Sequence, residues 1–126
     1  MTWMDFTLGW EVIVQRKAAD RNVPAMSAED AGDLVVRWRA HRVAWIEELC
    51  TAGEGVDLGG DWYPSLFSLQ ARHLRHILDG EAPLDCKTRV HPEPPYRSVP
   101  ALDLFPEVAA DVDDSEWLLL TIFDTS

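Results

Sequence analysis

Four histidines and two cysteines are the side chains of this chain best suited to hold a metal ion or move a proton. His73 and His76 are three residues apart, a spacing that brings both rings to one ion if the segment is helical. Cys86 and His91 follow, and the four residues give the pattern His-x2-His-x9-Cys-x4-His. This is not a familiar zinc spacing, and no Cys-x2-Cys pair preorganises it. We therefore predict no metal site and no cofactor.

A second arrangement of polar residues could bind a small anionic ligand. It lies between two predicted helices and combines imidazoles with guanidinium groups, which suit anions. The residues of this candidate pocket are His41, Arg72, His73, Arg75 and His76. His41 and Cys50 are nine residues apart, too far to cooperate on one helix. A small enzyme or anionic-ligand-binding protein is therefore the alternative hypothesis, and the sequence favours a protein without catalytic activity.

The strongest charge signal lies between residues 98 and 126, which contain no Lys, Arg or His in a chain of net charge −11. Large hydrophobic residues are interspersed among the acids, so the segment is predicted to pack and to present its carboxylates on one wall. Such a wall attracts basic surfaces, and an aromatic residue within it can anchor a complex. The predicted partner-binding residues are Asp103, Glu107, Asp111, Asp113, Asp114, Glu116 and Trp117.

Charge and composition restrict the classes of function. A net charge of −11 argues against binding to nucleic acids and to anionic membranes. Two cysteines are too few for a disulfide framework, and no targeting signal or membrane-spanning run is evident. We therefore predict a cytoplasmic, acidic protein-binding module, of the inhibitor, immunity or adaptor type, that docks on a basic protein surface.

The pattern of hydrophobic residues predicts a mainly α fold with two long helices. One runs from Ser27, a predicted N-cap with Asp30 near the capping-box position, to Ala52, and the other from Pro64 to about Asp79. The first is apolar on two sides, which is typical of a central helix or of one shared in a homodimer. A homodimer through this helix is the third hypothesis.

The remaining segments are predicted with less regular structure. Six prolines between Pro83 and Pro106 indicate an extended strap packed across the helices. Residues 116–123 favour a C-terminal strand, whereas residues 4–22 fit either a third helix or a strand. If both ends are strands, the fold is α+β, with Trp10–Gln15 as the pairing partner of the C-terminal strand. All 126 residues are expected to form a single domain.

Overall fold

The computed structural model describes residues 9–59 and 64–124, and its main feature is an antiparallel β-sheet of six strands. The order of strands across this sheet is β3-β4-β8-β1-β2-β7, and β5 and β6 form a separate hairpin. The strands are β1 (Trp10–Lys17), β2 (Ala31–Ala40), β3 (Gly55–Asp57), β4 (Ser65–Gln70), β5 (Thr88–Val90), β6 (Ser98–Pro100), β7 (Leu102–Leu104) and β8 (Trp117–Asp124).

The prediction of a mainly α fold is wrong, because each predicted long helix contains a strand. Residues 27–52 form β2 and then the short helix α1 (Ala44–Thr51), and residues 64–79 begin with β4. Leu34 and Trp38 are four residues apart, and such positions share a face on a strand as well as on a helix. The helical stripe therefore did not discriminate between the two. No helix from Ser27 to Ala52 exists to form the predicted homodimer.

The local sequence signals within these segments were correct, but the elements that they delimit are shorter than predicted. The hydroxyl of Ser27 accepts a hydrogen bond from the backbone of Glu29, and the carboxylate of Asp30 accepts one from the backbone of Ser27. This is the predicted capping box, but it caps only a 3-10 turn (Ala28–Asp30). The chain then extends into β2, whose β-branched pair Val35 and Val36 is fully buried.

Two strands distant in sequence pair at the centre of the sheet. β1 is antiparallel to β8, with Val12 opposite Ile122 and Val14 opposite Leu120. This is the pairing that the α+β alternative predicted between residues 10–15 and the C-terminal strand. The pair, however, forms the middle of a larger sheet, with β2 and β4 on its two sides. The first part of the ambiguous segment, residues 4–8, lies outside the described residues.

Short helices cover one face of the sheet and close the hydrophobic core. They are α1, α2 (Arg75–Leu78) and α3 (Pro106–Ala110), and a 3-10 turn (Ala71–Leu74) leads into α2. Ile46 of α1, Ile77 of α2 and Ala109 of α3 belong to the same buried cluster as Trp38 of β2 and Val12 of β1. The indoles of Trp38 and Trp45 stack, with ring centroids 6.4 Å apart.

The proline-rich segment is not a strap across the helices. β5 and β6 pair with each other, and the hairpin extends from the end of β2, where the backbone of Lys87 donates to the carbonyl of Arg39. All three residues of β5 are exposed, and the side chains of Val90 and Tyr96 are 64% and 69% exposed. Proline cannot donate backbone hydrogen bonds, so this segment suits a projecting arm better than a central strand. Among the described residues, no helix is long and apolar enough to cross a membrane.

Candidate binding site

The predicted acidic wall is largely neutralised by arginines from elsewhere in the chain. Four of its carboxylates form salt bridges, in the pairs Arg16–Glu116, Arg16–Asp111, Arg37–Asp103, Arg89–Asp103 and Arg75–Asp114. The other predicted members are placed differently. Glu107 and Asp113 are exposed, while Trp117 is half-buried at the start of β8. The seven residues therefore differ in burial and in whether an arginine pairs with them.

Glu116 and Arg16 form the most buried of these pairs, at 5% and 8% exposure. Arg16 lies on β1, and its Nε and Nη2 donate to the two carboxylate oxygens of Glu116 at 2.7 and 3.0 Å. Its Nη1 donates to Asp111 at 2.8 Å, and its Nη2 also donates to the Asp111 carbonyl. Such a bidentate, charge-assisted arrangement fixes the chain before β8 against β1. Glu116 is therefore a structural contact of the fold, and little of its side chain is exposed.

The salt bridges also change the acidity of the carboxyls that they involve. A hydrogen bond from Arg89, reinforced by one from Arg37, holds the pKa of Asp103 below its usual value. The hydrogen bond from Arg16 likewise lowers the pKa of Asp111, and its bond to Glu116 raises the pKa of the Arg16 guanidinium. These groups are charged at neutral pH, but their charges are balanced locally.

The predicted histidine and arginine pocket is only partly assembled. His73 and His76 line a cleft of about 250 Å³ beside α1, but the two arginines do not. Arg75 Nε donates to Asp114 at 2.7 Å, and Arg72 is exposed. His41, the fifth predicted member of the pocket, is exposed and is not among the residues that line the cleft. The residues lining the cleft are Trp45, His73, His76, Pro83, Leu84 and Asp85.

One imidazole nitrogen of this cleft region is buried without a hydrogen bond. Nε2 of His73 has no hydrogen-bond partner among the described residues, and its charged neighbour, Oε2 of Glu54, lies 3.8 Å away. Cys86 and His91, the other members of the metal pattern, do not line this cleft. Cys86 forms an isolated backbone β-bridge with Ala40 at the end of β2, and His91 follows β5 in the hairpin loop.

A larger cavity, of about 620 Å³, lies between α1 and the edge of the sheet formed by β3 and β4. Its charged lining residues are Glu47 from α1 and Asp57 from β3, and neither forms a salt bridge with a described lysine or arginine. Asp57 Oδ1 accepts a hydrogen bond from the backbone of Gly59 at 2.8 Å. The residues lining the cavity are Glu47, Cys50, Thr51, Asp57, Gly59, Ser65 and Phe67.

The cavity places a thiol next to uncompensated negative charge. Burial raises the pKa of Cys50, and the carboxylates of Asp57 and Glu47 raise it further. The thiol is therefore protonated at neutral pH and is a poor nucleophile. The described lining residues include no histidine, lysine or arginine, and the two carboxylates make the cavity electrostatically suited to a cation.

None of the residues that line this cavity was predicted as a site residue, although the sequence around them carries a charge signal. Residues 43–71 contain no Lys, Arg or His, and the same is true of residues 98–126. The two segments differ in their surroundings. Arginines of other elements form salt bridges with residues 98–126, whereas no arginine is among the described residues that line the cavity. Comparisons with known protein families, with characterised proteins and with solved structures find no significant match for this chain.

Proposed function

We propose that this protein is a small acidic binding module, of the inhibitor, immunity or adaptor type, that docks on a basic surface of a partner protein. The observation that carries the proposal is the cavity between α1 and β3. Its two carboxylates, Glu47 and Asp57, have no cationic partner in the described residues, whereas four carboxylates of the C-terminal segment do. A cavity of about 620 Å³ is large enough to admit a side chain of a partner.

The electrostatics favour a lysine or arginine side chain as the group that enters the cavity. The net charge of −11 steers a basic protein towards the module, and the carboxylates that line the cavity attract a cation at close range. Phe67 contributes apolar surface at the same place, against which the aliphatic stem of such a side chain can pack. The two free cysteines support a reducing compartment, and we propose the cytoplasm.

Affinity capture from an extract of the native host tests this function. The double variant Glu47→Gln/Asp57→Asn removes both cavity charges, and Glu29→Gln/Asp33→Asn is a matched control with the same change in net charge. Asp33 lies on β2, far across the sheet from β3, and both control residues are exposed. We expect the wild type and the control to retain the same basic protein at low salt.

The affinity for the captured partner then decides between specific docking and general charge attraction. We expect the cavity variant to bind about tenfold more weakly than the wild type, with a smaller dependence on salt. Equal weakening by the control variant would show that only net charge matters. The proposal is wrong if the wild type retains no basic protein under these conditions.

A further inference from the structure

We propose that the cleft on the other side of α1 is a separate binding site for a small arylalkylamine, that is, a protonated alkyl amine that carries one aromatic ring. This inference goes beyond the proposed docking function and concerns different residues. Trp45 of α1 lines this cleft, whereas Glu47, Cys50 and Thr51 of the same helix line the acidic cavity. The two sites can therefore be altered independently.

The size and the walls of the cleft suit one aromatic ring. Its volume is about 250 Å³, below the range of drug-sized pockets, so it fits a compact ligand. Trp45, Pro83 and Leu84 supply apolar surface. The indole of Trp45 is held by stacking on the buried Trp38, with an angle of 14° between the ring planes, so one wall is preorganised.

The charge at the cleft favours a cation over an anion. Among the described residues that line the cleft, Asp85 is the acidic one and none is Lys or Arg. The carbonyl of Asp85 accepts a hydrogen bond from the backbone of His41 at 2.8 Å, and the turn is closed by a bond from the backbone of Cys86 to the carbonyl of Pro83. This turn places Asp85 in the lining of the same cleft as Trp45. An ammonium group gains both from a carboxylate and from the face of an indole.

Two further groups add polarity without introducing a fixed positive charge. Glu54 lies 3.8 Å from Nε2 of His73, so a second carboxylate stands close behind one cleft residue. His76 is exposed at the same cleft and, when neutral, can accept a hydrogen bond from an amine. The two arginines of the predicted anion pocket do not line the cleft: Arg75 pairs with Asp114, and Arg72 is exposed.

Three probes that share a phenyl ring test the inference: phenethylamine, 2-phenylethanol and 3-phenylpropionate. They carry a positive charge, no charge and a negative charge, and their binding is followed by amide and indole NMR shifts at pH 8, where imidazole is ordinarily uncharged. We expect the amine to shift resonances of Trp45 and Asp85 with a dissociation constant of about 1 mM, typical of so small a ligand. The alcohol should bind at least threefold more weakly, and the carboxylate at least tenfold more weakly.

Substitution of Asp85 separates charge recognition from simple hydrophobic binding. Asp85→Asn keeps the backbone bond to His41, and it should reduce the affinity for the amine to that for the alcohol without changing the latter. Asp33→Asn, an exposed carboxylate on β2, is the matched control and should change neither. The inference is overturned if the carboxylate probe binds as tightly as the amine, if Asp85→Asn leaves amine binding unchanged, or if no probe shifts cleft resonances.

Discussion

Removal of the Glu116 carboxylate should cost much more stability than removal of Asp111, although both residues pair with Arg16. In the wild type Arg16 is 8% exposed, and Glu116→Ala removes the carboxylate that accepts from its Nε at 2.7 Å and from its Nη2 at 3.0 Å, leaving only the contacts with Asp111. Breaking a buried ion pair from one side costs about 3–5 kcal/mol, because a charge is left without compensation. Since Asp111 still accepts a bond from Nη1, we expect about 3 kcal/mol for Glu116→Ala, the lower end of that range.

Asp111 binds the same guanidinium as Glu116, but from an exposed position. The Asp111 side chain is 76% exposed, and solvent screens its attraction to Arg16. Asp111→Ala should therefore lower stability only slightly. The double variant Arg16→Met/Glu116→Leu should recover most of the loss of Glu116→Ala, because it removes both buried charges and fills their space with apolar atoms.

Urea denaturation at 25 °C, followed by tryptophan fluorescence, measures the free energies of unfolding of the four proteins. The m-values should agree, so that differences in midpoint report stability and not a change in the unfolded state. The prediction is wrong if the free energy of unfolding of Glu116→Ala is within about 1 kcal/mol of the wild-type value, which is about one third of the expected loss. It also fails if Asp111→Ala proves as costly as Glu116→Ala.

Three further outcomes follow from other parts of the structure. Gly32→Ala should destabilise the protein by about 1–3 kcal/mol in the same urea assay, because the new methyl group would lie 2.7 Å from the backbone oxygen of Arg16; an unchanged midpoint would contradict this contact. Asp103 has a lowered pKa because of Arg89, so it contributes stability that is fully present above its unfolded pKa of about 3.9 and is lost as the pH falls through the lower folded value. Asp103→Asn should therefore flatten the loss of melting temperature below pH 4, and an identical acid profile would refute this. Iodoacetamide should alkylate Cys50 at pH 8 more slowly than it alkylates free cysteine, since burial raises the pKa of this thiol, and mass spectrometry would detect equal rates as a contradiction.

The parts of the fold that the sequence predicted correctly depend on neighbouring residues or on unmistakable composition. The β8 strand was identified from its aromatic and β-branched residues, and the cap at Ser27 from its spacing to Asp30. The length of the capped element was not predictable in this way. Because the buried positions of β2 alternate with the exposed Arg37 and Arg39, a two-residue period was present, but the four-residue spacing of larger side chains concealed it.

The candidate site was harder to predict because it depends on contacts between distant residues. Arg16 and Glu116 are 100 residues apart, so nothing in the acidic segment reveals that its charge is already balanced. The acidic cavity likewise requires α1 and β3 to face each other across a short turn. For the histidine pocket, the proximity of His73 and His76 followed from their spacing, but the direction of Arg75 is decided by Asp114, which lies 39 residues away.

β8 lies in the middle of the sheet, but it is the last of the described strands to be synthesised. During synthesis β4 and β1 emerge long before β8, the strand that lies between them and pairs with both. Until residues 117–124 leave the ribosome, β1 and β4 lack the strand that pairs with both of them, and unpaired strands are sites of aggregation and of chaperone binding. The same arrangement offers a practical use: a chain that ends before β8 should remain unfolded and then fold when a synthetic β8 peptide is added. The protein could thus be divided into two complementing fragments.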